Sequence, residues 1–277
     1  MKHDLLSYLL LIRPYTLPSI ALVAVLARIA SVQSIALDLN FALDIIFAFS
    51  VWGTMVYLNE TLKTENGRPK IPFWVPIVFF AVAIIISLFR NFYAIPLILT
   101  ALISTILYWL KSIKWIGSPF VFIFRGVTEI MIFASILLFY NVPLTDTIFT
   151  FAAIILLVTN SRNLVGDIRD LRFDKYTFPA TFGETASRLV VMLFILIAIW
   201  LTSSLAVAFP LIVLILLILI IENGYDLHKI YVTTSIFYFL NLASSTLHSE
   251  TLFLNLAYIG ILLNQTYRMV PRKSNPK

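Results

Sequence analysis

Apolar stretches of about 20 residues recur along nearly the whole chain and are broken by short polar segments, the pattern of helices that each cross a bilayer. Read this way, the sequence predicts spans near 16–36, 39–59, 73–89, 92–110, 119–140, 147–160, 186–207 and 209–222, followed by helical runs near 231–246 and 251–266. The expected fold is therefore all-α: a polytopic bundle of about nine spans, with eight to ten as the range. No long linker or soluble-domain stretch interrupts the pattern, so residues 1–277 read as one transmembrane domain. Helices are the expected element because backbone N–H and C=O groups in hydrocarbon must pair within the segment.

Composition agrees with this pattern. The chain is 60% hydrophobic and 12% charged, with a mean hydropathy of +0.96, whereas a soluble domain has about a quarter charged residues. The absence of cysteine excludes disulfides and thiolate metal sites. The start, "MKHDLLSYLLLIRPYTL", carries Asp4 and an Arg13-Pro14 break and lacks a small-residue cleavage site, so it does not read as a removable signal peptide.

The basic residues orient the expected spans. Lys63, Arg68 and Lys70 follow the second span, and Lys111 and Lys114 follow the fourth. Arg162, Arg169, Arg172, Lys175 and Arg188 follow the sixth, and Lys229 comes later. The opposite loops, "LDL", "NVPLTD" and "LHSE", have Arg90 as their only basic neighbour. The positive-inside bias predicts a cytoplasmic N-terminus in an integral cell-membrane protein, and the basic tail favours an even number of crossings. The net charge of +6 follows from this bias and from anionic lipid, without nucleic acid. Arg28, Asp44, Arg125 and Glu129 fall inside spans, where ionisable groups face the bundle interior. One-turn spacing predicts an Arg125–Glu129 pair, and similar depth on consecutive helices an Arg28–Asp44 pair; structural ion pairs are the favoured reading, with a substrate-lining role as the alternative.

Two polar segments stand out against this background. "GDIRDLRFD", residues 166–174, places three aspartates in nine residues. Continued as a helix, it puts Asp167, Asp170 and Asp174 on one stripe with Asn163, and turns Arg162, Arg169 and Arg172 to the other side. A stripe of hard oxygen donors suits Mg²⁺, which uses one or two carboxylates together with substrate phosphates. The other segment, "YLNETLKTENGRPKIPFW", offers Asn59, Glu60 and Glu65 as donors beside Lys63, Arg68 and Lys70. Both lie on the inferred cytoplasmic side. Together they predict two polar caps over a central cavity, able to hold a diphosphate head whose hydrocarbon tail lies between helices.

The chain resembles the UbiA-type intramembrane prenyltransferases. "DIRDLRFD" matches the second aspartate-rich motif of that family, D-x-x-D-x-x-x-D, and Arg162 matches a recurrent arginine before it. "TFPATFGE" resembles the T-L-P-x-x-x-G that follows, "LLLIRPYTL" the Arg-Pro signature entering the first helix, and "LYWLKSIKWIGSPFVFIFRG" the tyrosine-plus-lysine loop after the fourth. These matches keep their order over roughly residues 5–190. The first motif, N-D-x-x-D-x-x-x-D, departs from the pattern: Asn59 is kept, but Glu60, Lys63 and Gly67 stand in place of its aspartates. Gly166 stands where many members have a lysine.

The resemblance implies transfer of an isoprenyl chain from a prenyl diphosphate to a lipophilic or aromatic acceptor in the bilayer, with Mg²⁺ as cofactor. It implies metal binding by Asp167, Asp170 and Asp174, helped by Asn59 and by Glu60 or Glu65. It also implies diphosphate contacts from Arg68, Lys111, Lys114, Arg162 and Asn163, and a Tyr108 ring facing the developing cation. Lys63, one helical turn beyond Asn59, is a candidate ammonium in place of a metal. Two other readings stay open: a non-catalytic prenyl-lipid binder with a decayed first motif, and a transporter. The concentration of charge in loops rather than at mid-bilayer argues against the transporter.

Overall fold

The computed structural model describes residues 13–34, 36–62, 71–110 and 117–247, whose regular elements are all helices, without strands. A 3₁₀ turn at Pro14–Thr16 leads into α1 (Leu17–Val32), and α2 (Leu39–Leu62), α3 (Trp74–Arg90) and α4 (Ile95–Trp109) follow. Then come α5 (Phe122–Phe139), α6 (Asp146–Arg169), the short α7 (Phe178–Phe182), α8 (Glu184–Leu201), α9 (Leu205–Ile220) and α10 (Gly224–Leu247). Six of the described helical segments are long and apolar enough to cross a membrane, and α3 and α9 are shorter apolar helices. Their outer faces carry bare Phe89, Trp200 and Leu219, as expected of surface that meets lipid.

The packing is a ring of which α1 is a member. This helix packs on α2 and α10 as ring neighbours and also on α5, and the contacts α2–α3, α3–α4, α4–α5, α5–α6, α6–α8, α8–α9 and α9–α10 complete the circuit. Close approach depends on small residues. On α5, a Cβ added to Gly126 would lie 2.1 Å from Asn160 Oδ1 on α6. Gly126→Ala is expected to destabilise the bundle by about 1–3 kcal/mol, the usual cost of overpacking a filled core. Thermal unfolding in detergent measures it, and an unchanged midpoint would show that α5 and α6 have room to part.

Away from the aspartates, the bundle ends in an ionic knot. Arg28 Nη1 donates to Asp44 Oδ2 at 3.3 Å and to the Tyr140 hydroxyl at 2.6 Å, and Arg90 lies 3.6 Å from Asp44 Oδ1. The expected Arg28–Asp44 pair is thus present, with Asp38 added to it at 2.9 Å. Asp38 also caps α2 by accepting from the Phe41 N–H at 2.7 Å. That bond, with the Arg28 guanidinium, holds the Asp38 carboxyl below the usual carboxylate range.

The other expected pair does not form. Glu129 accepts from Arg162 of α6, and Arg125 turns instead to the Tyr108 hydroxyl, 3.5 Å away. The helix boundaries differ too. The sixth helix does not stop near 160 but runs to Arg169, because Arg162, Asn163 and Asp167 are buried against neighbouring helices rather than solvated. The eighth breaks at Thr202, six residues short of the expected boundary near 207–209, and α10 begins at Gly224 rather than near 231. The run near 251–266 lies outside the described residues. "TFPATFGE" becomes a corner: Thr177 precedes α7, Pro179 sits in its first turn, and Gly183 takes φ 89° to turn the chain into α8. Phe178 and Phe182 pack on Phe120, which ties this corner to the start of α5.

Candidate functional site

The C-terminal end of α6 faces the entry to α1, Trp52 of α2, Tyr108 of α4, Arg125 of α5 and the start of α10. Between them lies a narrow cleft, partly open to solvent. Asp167 and Asp170 line it from α6, one helical turn apart. Asp167 is 2% exposed. Asp174 is not among the lining residues: α6 ends at Arg169 and the chain turns at 170–173, which breaks the single stripe expected of a continuous helix.

The expected division into an acidic and a basic stripe also fails, because Arg162 and Arg169 line the same cleft as the aspartates. Arg162 reaches inward to Glu129 and donates to Ser19 Oγ at 3.0 Å. Arg169 donates to both Asp170 oxygens, at 2.8 and 2.7 Å, and lies 3.3 Å from His228 Nδ1.

Two more guanidinium groups complete the lining. Arg13 donates to Glu60 Oε1 at 3.0 Å. Its backbone is left-handed (φ 61°) ahead of Pro14, a conformation few non-glycine residues adopt. Thr16 N–H and Oγ1–H, each at 2.8 Å from the Arg13 carbonyl, hold it there. Arg125 lies over the rings of Trp52 and Tyr108, 5.2 Å from each centroid. Among the described residues no carboxylate pairs with Arg125. It stands where the cleft meets a second, narrow recess between α2, α4 and α5, with Met55 and Val56 in its wall. Asn59 also lines this recess, and its amide oxygen accepts no hydrogen bond from the described residues.

The structure therefore gathers Asp167, Asp170, Arg162, Asn163 and Tyr108 at one cleft, with Asn59 beside it. Glu60 is 6% exposed and engaged with Arg13. Lys63, Glu65, Arg68, Lys111 and Lys114 lie outside the described residues. Sequence reading did not assign Arg13, Arg125, Arg169 or His228 to the site. Arg13 stood in a quoted signature and Arg125 was an ionisable residue inside a span, so both had a signal. His228 had none, since only the closure of α10 against α1 and α6 brings it in.

The donor set decides which metal arrangement fits. Among the described residues no three carboxylate or imidazole side chains converge where a metal ion could sit. The Asp167 carboxylate fits one Mg²⁺ that takes its remaining ligands from water and phosphate, and Asp170 joins it only if it gives up its two bonds to Arg169. The last turn of α2 does not fit a second, because Glu60 is already neutralised by Arg13.

Packed apolar helices, with a polar cleft lined from the entry to α1 and from α2, α4, α5, α6 and α10, make a polytopic helical bundle of the kind an integral membrane protein has. The chain is similar to the solved structure of digeranylgeranylglyceryl phosphate synthase in membranes, with a TM-score of 0.50 and 17% identity over 96% of each chain. No family model matches the sequence, and no curated protein matches it.

Proposed function

We propose that the protein is a membrane-embedded prenyltransferase that moves an isoprenyl chain from a prenyl diphosphate to a lipophilic or aromatic acceptor. The observation that carries this is Arg125, a guanidinium without a carboxylate partner among the described residues, set between an arginine-lined cleft and a recess walled partly by apolar side chains. That arrangement suits an amphiphile with a strongly anionic head and a hydrocarbon tail. The fold likeness to a membrane synthase supports the same reading.

In the proposed reaction the allylic C–O bond breaks and its electron pair leaves with the diphosphate. The acceptor nucleophile then bonds to the allylic carbon and gives up its proton. The protein's part is electrostatic, since donors fixed where negative charge builds up favour the departing group. Arg125 and Arg162 face the head from the bundle side, and Arg13 and Arg169 from the rim. Mg²⁺ held at Asp167 would supply Lewis-acid neutralisation of the diphosphate oxygens. The Tyr108 ring lines both the cleft and the recess, but its face is shared with Arg125, so it bears on an allylic cation only from the side that guanidinium leaves open. Burial among helices keeps water from the cation. With the motif end at the cytoplasmic face, soluble prenyl diphosphates have direct access.

The test is to incubate the purified full chain with Mg²⁺, prenyl diphosphates of several lengths and a panel of lipophilic and aromatic acceptors. Diphosphate release together with a prenylated product is expected. Tail-dependent binding without release in any combination would favour the non-catalytic lipid binder, a reading favoured by the missing three-donor cluster among the described residues.

A further inference from the structure

Resting on the prenyl-diphosphate reading above, we infer that Arg13, held on Glu60, takes the place of a metal ion on the α2 side of the cleft, so that the diphosphate is met there by a built-in organic cation. Trp52 is the α2 residue that lines the cleft; nearer the described end of α2, Asn59 lines the neighbouring recess and Glu60 is linked to the cleft through Arg13. Glu60 is buried, and the Arg13 guanidinium lies 3.0 Å from its Oε1. A divalent ion at that carboxylate would sit against a fixed positive charge in a site shielded from water, where like charges repel strongly.

The backbone fixes Arg13 in this role. Its left-handed conformation before Pro14 is one that L-residues with side chains avoid, and such conformations persist where the surroundings over-determine them. Two bonds from Thr16 to its carbonyl and one ion pair to Glu60 do so here. The side chain lines the cleft opposite Asp167 and Asp170. Guanidinium has five donors in a planar fork, so it binds Glu60 and keeps N–H groups for phosphate oxygens. Glu60 then acts as a positioning residue that aims the arginine. The two sides divide the work: α6 brings the Asp167 carboxylate for one divalent ion, and Arg13, ahead of α1 and held on Glu60 of α2, is a cation that needs no metal.

The experiment uses the full chain in detergent with geranyl, farnesyl and geranylgeranyl S-thiolodiphosphates, which bind without ionising, and Mn²⁺ counted by electron paramagnetic resonance in place of Mg²⁺. About one Mn²⁺ or fewer per chain is expected when the analogue is bound, since one or two carboxylates hold such an ion together with phosphate. Arg13→Gln should weaken analogue binding about ten- to a hundredfold and Arg13→Lys by less, because a lysine keeps the charge but not the fork. Two Mn²⁺ per chain would overturn the inference while leaving the prenyl-diphosphate reading intact. So would an Arg13→Gln protein with an unchanged unfolding midpoint and wild-type affinity for the analogue. If Arg13→Gln does not fold, the Mn²⁺ count on the wild-type chain decides. No binding of any analogue at any Mn²⁺ concentration would instead sink the proposed function.

Discussion

Arg162→Ala is expected to lower stability by about 3–5 kcal/mol, the cost of leaving one member of a buried ion pair uncompensated. Glu129 is 0% exposed and its described ionic partner is Arg162, which also bonds Ser19 and lies 6.0 Å from the Trp52 ring centroid. Removing the guanidinium strands a carboxylate among α1, α5 and α6 at the centre of the bundle. The unfolding midpoint in detergent measures the loss. Adding Glu129→Gln to the same chain should recover much of it, since the stranded charge is gone. A single variant as stable as wild type, or a double variant no better than the single, would show that the pair does not hold these helices together. Because Arg162 also lines the cleft, the double variant separates its two roles: stability returns, while analogue affinity stays low.

The second large effect concerns the aspartates, which the structure divides. Asp167→Asn should reduce prenyl transfer about 10²- to 10³-fold, the range seen when a pre-organised electrostatic group is removed from a reacting centre. Asp170→Asn should also reduce it, and it additionally frees Arg169 from its two bonds to that carboxylate. Asp174→Asn should change the rate by less than about tenfold, since Asp174 is absent from the cleft lining and a group that does not meet the head has no transition-state contact to lose. The check is diphosphate release by each variant at saturating prenyl diphosphate, with unfolding midpoints compared. Equal loss from all three would mean that the turn at 170–173 rearranges on binding to bring Asp174 in.

The asymmetry also marks what sequence could and could not give. Apolar run lengths located the described helices well, because a membrane enforces length and apolarity independently of tertiary structure. They misplaced the ends at Arg169 and Gly224, since both fall in polar sequence stabilised by contacts between helices rather than by lipid. Helical spacing brought Asp167 and Asp170 together correctly. It failed for Asp174 because a periodicity argument assumes a helix that continues, and this one ends. The Arg125–Glu129 pairing failed for a related reason: proximity along one helix competes with a partner across a helix interface. Arg162 on α6 reaches Glu129, which frees Arg125 for Tyr108 and for the cleft. His228 could not be found from spacing at all, since its place depends on how the last described helix closes the ring.

The two ends of α2 have a mechanical consequence. Asp44 is clasped by Arg28 of α1 near one end, and Glu60 by Arg13, just ahead of α1, near the other. These fastenings lie about 24 Å apart along the helix axis at 1.5 Å per residue. Sliding α2 lengthwise against α1 would break both together, so the pair behaves as one stiff board with a latch at each end. Under the proposed function, widening to admit an isoprenyl chain is then expected from the opposite wall. There Tyr108 and Arg125 sit on α4 and α5, and α4 turns Ile103 and Ile106 outward toward lipid.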